Sequence, residues 1–186
     1  GVKFSAYRPS VMGKNGMITS GHPLASQAGI QTLIAGGNAV DAAIATAATL
    51  GVVEPHSSGV GGDGFILIYD AEKEIVTGIN ATGAAPRKAT RELYVQEDGI
   101  PMQGIRSVSI PGLVDGWLLA HEKYGKLPLI QVLDPAIALC KNGFPVSHKL
   151  GEALKGQTSK FTSDPYTRAV FTNAGKPIRP GEILYQ

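Results

Sequence analysis

With 186 residues, 43% hydrophobic and 17% charged, the chain has the length and composition of one ordinary globular domain. Its net charge of +2 is small, and the basic residues are scattered without a cluster or an aromatic ladder, so neither a nucleic-acid nor a membrane partner is expected. The single cysteine, Cys140, excludes an internal disulfide. Its apolar neighbours favour a buried structural thiol over a nucleophile.

The sequence contains no candidate for a membrane span or a signal peptide. Its apolar stretches fall short of the roughly 18–20 residues that a spanning helix needs. The first residues lack the apolar core of a signal sequence. We therefore expect a cytoplasmic protein, or a periplasmic or secreted one from which a signal has been removed.

The first predicted elements are a short strand and two helices joined by a glycine pair. Residues 17–20 are typical of a strand, and Pro23, near the first helical position, begins a helix that ends at the glycines. Asn38 is a good N-cap for the next helix, and Asp41 lies in its first turn, where a carboxylate suits the helix dipole. That helix, residues 39–53, is rich in alanine, so we expect it to be buried on most sides.

A glycine-rich turn comes next, followed by an apolar run with the composition of a buried strand. Such glycines allow left-handed backbone and close approach to another backbone or a ligand. Gly83, further along, permits a second close approach. Glycine-loop patterns also occur where a turn only packs a helix on a sheet, so a structural role remains open. The glycines of this turn are Gly59, Gly61, Gly62 and Gly64.

The rest of the chain predicts one β-hairpin and several helices. Residues 65–69 and 75–79 flank a polar turn of a length that suits a hairpin. A helix after Pro111 should end at Gly125, with one side formed by Leu113, Val114, Trp117, Leu118 and Tyr124. The other predicted helices are a short one at 90–94, two segments beginning at Pro128 and Asp134-Pro135, and an amphipathic one at 147–155.

No familiar catalytic or cofactor motif is complete in this sequence. The four histidines lack metal-ligand spacing, so no metal is expected. His56 precedes two serines, but neighbours in sequence do not make a catalytic pair, and polar residues satisfying a turn are the better interpretation. The glycine turn precedes a strand and is followed by no Gly-Lys-Ser/Thr, which argues against a nucleotide loop. We expect no cofactor.

Taken together, several segments resemble the γ-glutamyltranspeptidase family. The phrase Gly-Gly-Asn-Ala-Val-Asp-Ala-Ala is specific, and the segments occur in the family's order over nearly the whole chain. They are residues 20–26, 36–44, 55–65, 85–90 and 110–117.

The resemblance implies an α/β (α+β) fold, the αββα sandwich of N-terminal-nucleophile hydrolases. Residues 1–186 would be its helix-rich N-terminal portion, an incomplete domain of the large subunit. Such proteins are precursors that cut themselves, and the new N-terminal threonine of the small subunit is the nucleophile. No catalytic residue is therefore expected in this chain. Its expected partners are the remainder of the large subunit, the C-terminal small subunit and a small-molecule amide.

The resemblance also implies one substrate contact, an arginine after the second strand that binds the α-carboxylate of the glutamyl group. Alignment on Ala85-Pro86 places Thr82 there, so the arginine is absent. In the acylase-type pattern Asn-Gly-Ser-Gly-Arg-Ala-Pro the arginine would fall on Ala84, and it is absent there too. Arg87 could replace it only if the loop is rearranged. Asp63, where transpeptidases more often carry glycine, also indicates the acylase-like branch.

The activity implied is transfer of a γ-glutamyl or similar short acyl group from an amide, such as glutathione, to water or an amine. The reaction would pass through an acyl-enzyme. Two alternatives remain at this point. One is an acylase-type amidohydrolase acting on another acyl amide, and the other is a non-catalytic paralogue or fragment that only associates with other chains.

Overall fold

A computed structural model describes residues 10–96, 99–158 and 164–186. Within these ranges the helices are α1 (Pro23–Ile34), α2 (Ala39–Val53), α3 (Arg91–Gln96), α4 (Leu113–Tyr124), α5 (Leu129–Asn142), α6 (His148–Gly156) and α7 (Pro165–Phe171), with a 3₁₀ turn at Ile105–Ser107. The strands are β1 (Gly64–Asp70), β2 (Ile75–Ala81), β3 (Phe144–Pro145), β4 (Thr172–Asn173), β5 (Lys176–Pro177) and β6 (Ile183–Leu184).

The helical pair α1–α2 is confirmed, and local chemistry explains its bounds. Gly36, with φ of 94°, makes the left-handed turn that separates the helices. The Asn38 side chain accepts from the backbone of Asp41, and Asp41 accepts from the backbone N–H of Asn38, which completes a capping box. The alanine-rich helix α2 is largely buried, as expected.

The strand predicted at residues 17–20 is wrong, since in the described chain this segment pairs with no strand. The Ile18 side chain lies against α1 instead, while Met17 and Thr19 are exposed. A Cβ built on Gly29 of α1 would lie only 3.0 Å from Ile18 Cγ1, so this glycine gives the segment room to pass. Packing on a helix thus replaces strand pairing here.

The predicted hairpin is confirmed, with β1 antiparallel to β2 and Ile66 opposite Ile79. The expectation of a fully buried strand is wrong for one of its two faces. Ile66 and Ile68 pack on the core with Ile79, whereas the alternate residues of β1 point away from it. Phe65 and Leu67 are 75% and 79% exposed. The hairpin therefore has an inner face covered by helices and an outer apolar face that this chain leaves open.

Helix α5 joins two segments that the sequence predicted as separate. Pro135 lies inside the helix, where it removes one backbone hydrogen bond. Val132 and Ala136, on either side of it, are buried against α2, and this packing outweighs the break. In α4, Trp117 is buried as expected, but Val114 and Leu118 are exposed, so the predicted single apolar side is wrong for those two residues.

Two apolar clusters hold the elements together. The first joins α2, α4 and α5 to the inner face of the hairpin, with Trp117 and Val132 among its members. The second joins Val53, at the end of α2, to Leu150 in α6 and Leu184 in β6. Cys140 is half-buried, and burial raises the pKa of its thiol, which fits a structural role. Among the described residues, no helix is long and apolar enough to cross a membrane.

Candidate substrate-binding junction

Three segments distant in sequence meet at one end of the hairpin. They are the glycine turn (59–64), the segment leaving β2 (82–86) and the segment entering α4 (109–112), which we call together the junction. Backbone hydrogen bonds connect them in pairs. Gly112 N–H donates to Gly62 O over 3.3 Å, and Ile110 N–H donates to Ala84 O over 3.0 Å. The exit of the hairpin is thus fixed to the start of α4.

Glycine is required where these backbones touch. A Cβ on Gly83 would lie 1.3 Å from the carbonyl oxygen of Ile110, so the expected close approach at Gly83 is confirmed. A Cβ on Gly112, which sequence reasoning did not single out, would lie 2.6 Å from Ala81 O. Both contacts are with backbone, which no side-chain rotation can relieve.

In the glycine turn itself, none of the four glycines has a left-handed φ. Gly62 N–H closes the turn by donating to Gly59 O over 3.0 Å. A Cβ on Gly64 would lie only 2.7 Å from Leu113 Cδ1, so the packing of Leu113 requires a glycine at this position. Gly59 and Gly61 have nothing within 4 Å of their Cβ positions. Close packing therefore explains part of the turn, and an open backbone surface remains at two glycines.

Asp63 holds the junction together with both carboxylate oxygens. Its Oδ1 accepts from Gly83 N–H over 2.7 Å, and its Oδ2 accepts from the Ser109 hydroxyl over 2.6 Å. The Ser109 bond, followed by that from Gly83, holds the pKa of Asp63 below its usual range, so the group is ionised at neutral pH. Sequence reasoning used Asp63 only as a sign of the acylase-like branch. No local pattern pairs it with Ser109, 46 positions away.

Thr82, the residue at the expected arginine position, is exposed within this junction. Its hydroxyl donates to Asn80 Oδ1 over 2.6 Å, and its backbone N–H donates to the same oxygen over 3.0 Å. The hydroxyl oxygen keeps its lone pairs available to a ligand. Arg87 is also exposed, and among the described residues no hydrogen bond joins it to Thr82 or Asp63. The structure thus brings Thr82, Gly83 and Asp63 together.

Ser57 and Glu54, two other polar residues near the turn, have structural partners. Ser57 N–H donates to Glu54 O over 2.9 Å, and His56 beside it is exposed, as in an ordinary polar turn. The buried carboxylate of Glu54 accepts from Lys149 Nζ over 3.0 Å. In the described ranges, no three His, Cys, Asp or Glu side chains are grouped so that they could hold a metal ion.

Comparison with solved structures places this architecture among the N-terminal-nucleophile hydrolases. The chain superposes on a γ-glutamyltranspeptidase from Helicobacter pylori with a TM-score of 0.90 and 33% identity, over 96% of this chain and 52% of that one. It superposes on a cephalosporin acylase from Bacillus halodurans with a TM-score of 0.90 and 36% identity, over 100% of this chain and 36% of that one. The predicted fold class is confirmed.

Residues 25–186 match the family model described as Gamma-glutamyltranspeptidase. The chain belongs to the γ-glutamyltranspeptidase family. A curated relative, the glutathione hydrolase-like YwrD proenzyme of Bacillus subtilis, is 43% identical over 178 residues, which cover 95% of this chain and 34% of that relative. The chain therefore spans about a third of the length of the curated relatives it matches.

Proposed function

We propose that this chain is the N-terminal part of the large subunit of an amidohydrolase or acyltransferase. The whole protein would move a γ-glutamyl or similar short acyl group from an amide to water or an amine through an acyl-enzyme. Family membership supports this proposal, as do relatives named as glutathione hydrolase and acylase proenzymes. The nucleophilic threonine and the oxyanion donors would belong to the part of the protein beyond residue 186, in a C-terminal small subunit.

The junction at the end of the hairpin is the main structural support for this proposal. Thr82 is exposed, and the residues around it are fixed by hydrogen bonds to Asn80, Asp63 and the start of α4. A site on a rigid element can hold an acyl group in one orientation, which a reaction with a distant nucleophile requires. We propose that Thr82 contacts the acyl group of the substrate there.

An acylase acting on another short acyl amide is the second candidate. It is favoured by the absence of arginine at both positions where the resemblance implies one, Thr82 and Ala84. The Thr82 hydroxyl donates its single proton to Asn80 and so offers a carboxylate no donor, whereas an arginine binds a carboxylate with two charged hydrogen bonds. Strict selection for a free α-carboxylate is therefore not part of the proposal.

Two substrates that differ in a single group separate these candidates. The full-length protein is assayed with γ-glutamyl p-nitroanilide and with 4-aminobutyryl p-nitroanilide, which lacks only the α-carboxylate. We expect turnover of at least one by a preparation that has cut itself. Self-cleaved protein that releases nitroaniline from neither substrate would contradict the proposed function.

The variant Thr82→Arg tests which position faces the carboxylate. Arginine would add hydrogen bonds between charged groups, and a hydrogen bond to a charged group contributes roughly 1.5–3 kcal/mol. We therefore expect the ratio of kcat/KM for the γ-glutamyl over the 4-aminobutyryl substrate to rise about tenfold or more. Ala84→Arg is the matched comparison, since it adds the same charge two residues on. A larger rise with Ala84→Arg would assign the contact to position 84.

A further inference from the structure

The Asp63 carboxylate is a fixed charge at the place where Thr82 would meet the acyl group. Its Oδ1 lies 2.7 Å from Gly83 N, and that nitrogen is bonded to the carbonyl carbon of Thr82. Bond lengths alone therefore put Thr82 Cα within about 5.5 Å of the carboxylate. Ser109 holds the second oxygen at 2.6 Å, so the carboxylate cannot swing away without losing both hydrogen bonds.

Neither hydrogen bond neutralises this charge. The two donors are a backbone N–H and a serine hydroxyl, and within the described residues Asp63 forms no ion pair. Asp63 is exposed, so its field reaches solvent and any molecule held beside Thr82. The residue that positions the loop thus also presents a negative charge beside Thr82.

We propose that Asp63 is a specificity-determining residue that disfavours acyl groups with a free carboxylate and favours neutral or amine-bearing short acyl amides. This inference rests on the proposed function and narrows its substrate class. A substrate carboxylate about 6 Å from Asp63 would be repelled by an amount equivalent to about three- to tenfold in kcat/KM at the effective dielectric of an exposed site. Repulsion would affect γ-glutamyl substrates and spare their decarboxylated counterparts.

The experiment compares Asp63→Asn with the wild type, both full-length and self-cleaved. Asparagine keeps the shape and one acceptor oxygen but removes the charge. We expect the ratio of kcat/KM for γ-glutamyl over 4-aminobutyryl p-nitroanilide to rise about three- to tenfold. Glu72→Gln is the matched control, because it removes an exposed carboxylate from the opposite end of the hairpin. It should leave the ratio within about twofold.

Ser109→Ala separates charge from positioning. It removes one hydrogen bond to Asp63 and leaves the carboxylate in place. If Asp63 acts through its charge, Asp63→Asn changes the substrate ratio much more than Ser109→Ala does. Equal loss of activity toward both substrates in the two variants, with an unchanged ratio, would show that Asp63 only positions the loop and would overturn the inference.

Salt dependence gives a readout that needs no variant. Ionic strength screens an exposed charge, with a Debye length of about 30 Å at 0.01 M and about 10 Å at 0.1 M. The ratio for the wild type should therefore rise with added salt, and a flat ratio overturns the inference even if Asp63→Asn fails to fold. Wild-type protein that turns over neither substrate contradicts the proposed function, whereas an unchanged ratio in an active Asp63→Asn enzyme contradicts this inference alone.

Discussion

At the scale of single residues, Asp41 is the buried carboxylate that joins the start of α2 to the loop between α4 and α5. The residue is 0% exposed. Its Oδ2 accepts from the backbone N–H of Asn38 over 3.0 Å and of Leu127 over 3.2 Å, and both oxygens lie 3.1 Å from Lys126 N. The cap predicted from local sequence therefore also serves as a long-range connection.

Replacing Asp41 by alanine should lower the free energy of unfolding by about 3 kcal/mol, because hydrogen bonds to charged groups contribute roughly 1.5–3 kcal/mol and buried donors lose their partner. Urea unfolding of the full-length protein measures the change. Asp115→Ala is the control, since Asp115 is an exposed first-turn carboxylate of α4. That variant should lose no more than about 0.5 kcal/mol. Equal losses in the two variants would contradict the role assigned to Asp41.

His22 caps α1 through a ring nitrogen that must remain unprotonated. Its Nδ1 accepts from Leu24 N–H over 3.2 Å. Burial holds the pKa of His22 below its usual 6.5, against an opposing effect of Glu54 and with a smaller lowering by Lys149. Below pH 6.5 the unfolded chain therefore binds more protons than the folded one. By linkage, this contribution to stability is complete above that pH and is lost progressively as the pH falls.

We expect the free energy of unfolding of the full-length wild type to fall more steeply between pH 7 and pH 5 than that of His22→Asn. Asparagine keeps a side-chain acceptor at the cap and does not titrate. Denaturant unfolding at several pH values measures both slopes. Identical slopes would show that protonation of His22 is not coupled to folding. His148, which is exposed at the start of α6, supplies the control variant His148→Asn.

At the scale of elements, the sequence predicted helix bounds that depend on neighbouring residues. It did not predict helix continuation or hydrogen bonds that depend on residues distant in sequence. Helix α2 occupies residues 39–53 as predicted, because Asn38 and the alanine pattern are local signals. The continuation of α5 through Pro135 depends on packing against α2, and the local sequence of α5 does not indicate that packing. The hydrogen bond between Ser109 and Asp63 likewise depends on the fold, since 46 positions separate the two residues.

The junction between hairpin and α4 makes Gly83→Ala a severe substitution. Its new Cβ would fall 1.3 Å from Ile110 O, so the backbones must separate and the hydrogen bonds of Ala84 and Asp63 must break. We expect a loss of at least about 2 kcal/mol in the free energy of unfolding of the full-length protein. Gly61→Ala is the matched control, because nothing lies within 4 Å of its Cβ and its φ is not left-handed.

Gly61→Ala should change stability by less than about 0.5 kcal/mol, or increase it slightly by restricting the unfolded chain. A stable Gly61→Ala variant with reduced turnover would indicate that substrate or another part of the protein approaches the open backbone there. If Gly83→Ala were as stable as the wild type, the close contact with Ile110 would not exist in solution.

At the scale of the whole molecule, the outer face of the hairpin is an apolar surface that the described chain leaves uncovered. Four large side chains share this face by strand alternation, and each is more than half exposed. In the described chain β1 pairs only with β2, which leaves its other edge open. The residues of the face are Phe65, Leu67, Tyr69 and Val76. Relatives about three times longer than this chain have further sequence with which to cover such a surface.

The isolated 186-residue chain should therefore bind an apolar dye or aggregate, and it should release no nitroaniline from a γ-glutamyl anilide. The full-length protein should bind little dye, because the remaining chain would cover the outer face of the hairpin. Leu67→Thr should reduce dye binding by the isolated chain and destabilise the full-length protein. Ile34→Thr, at an exposed position on α1, should destabilise the full-length protein much less. A monomeric, dye-negative chain with a cooperative melt would instead mean that these residues form a self-contained domain, and turnover by the pure chain would place the chemistry within it.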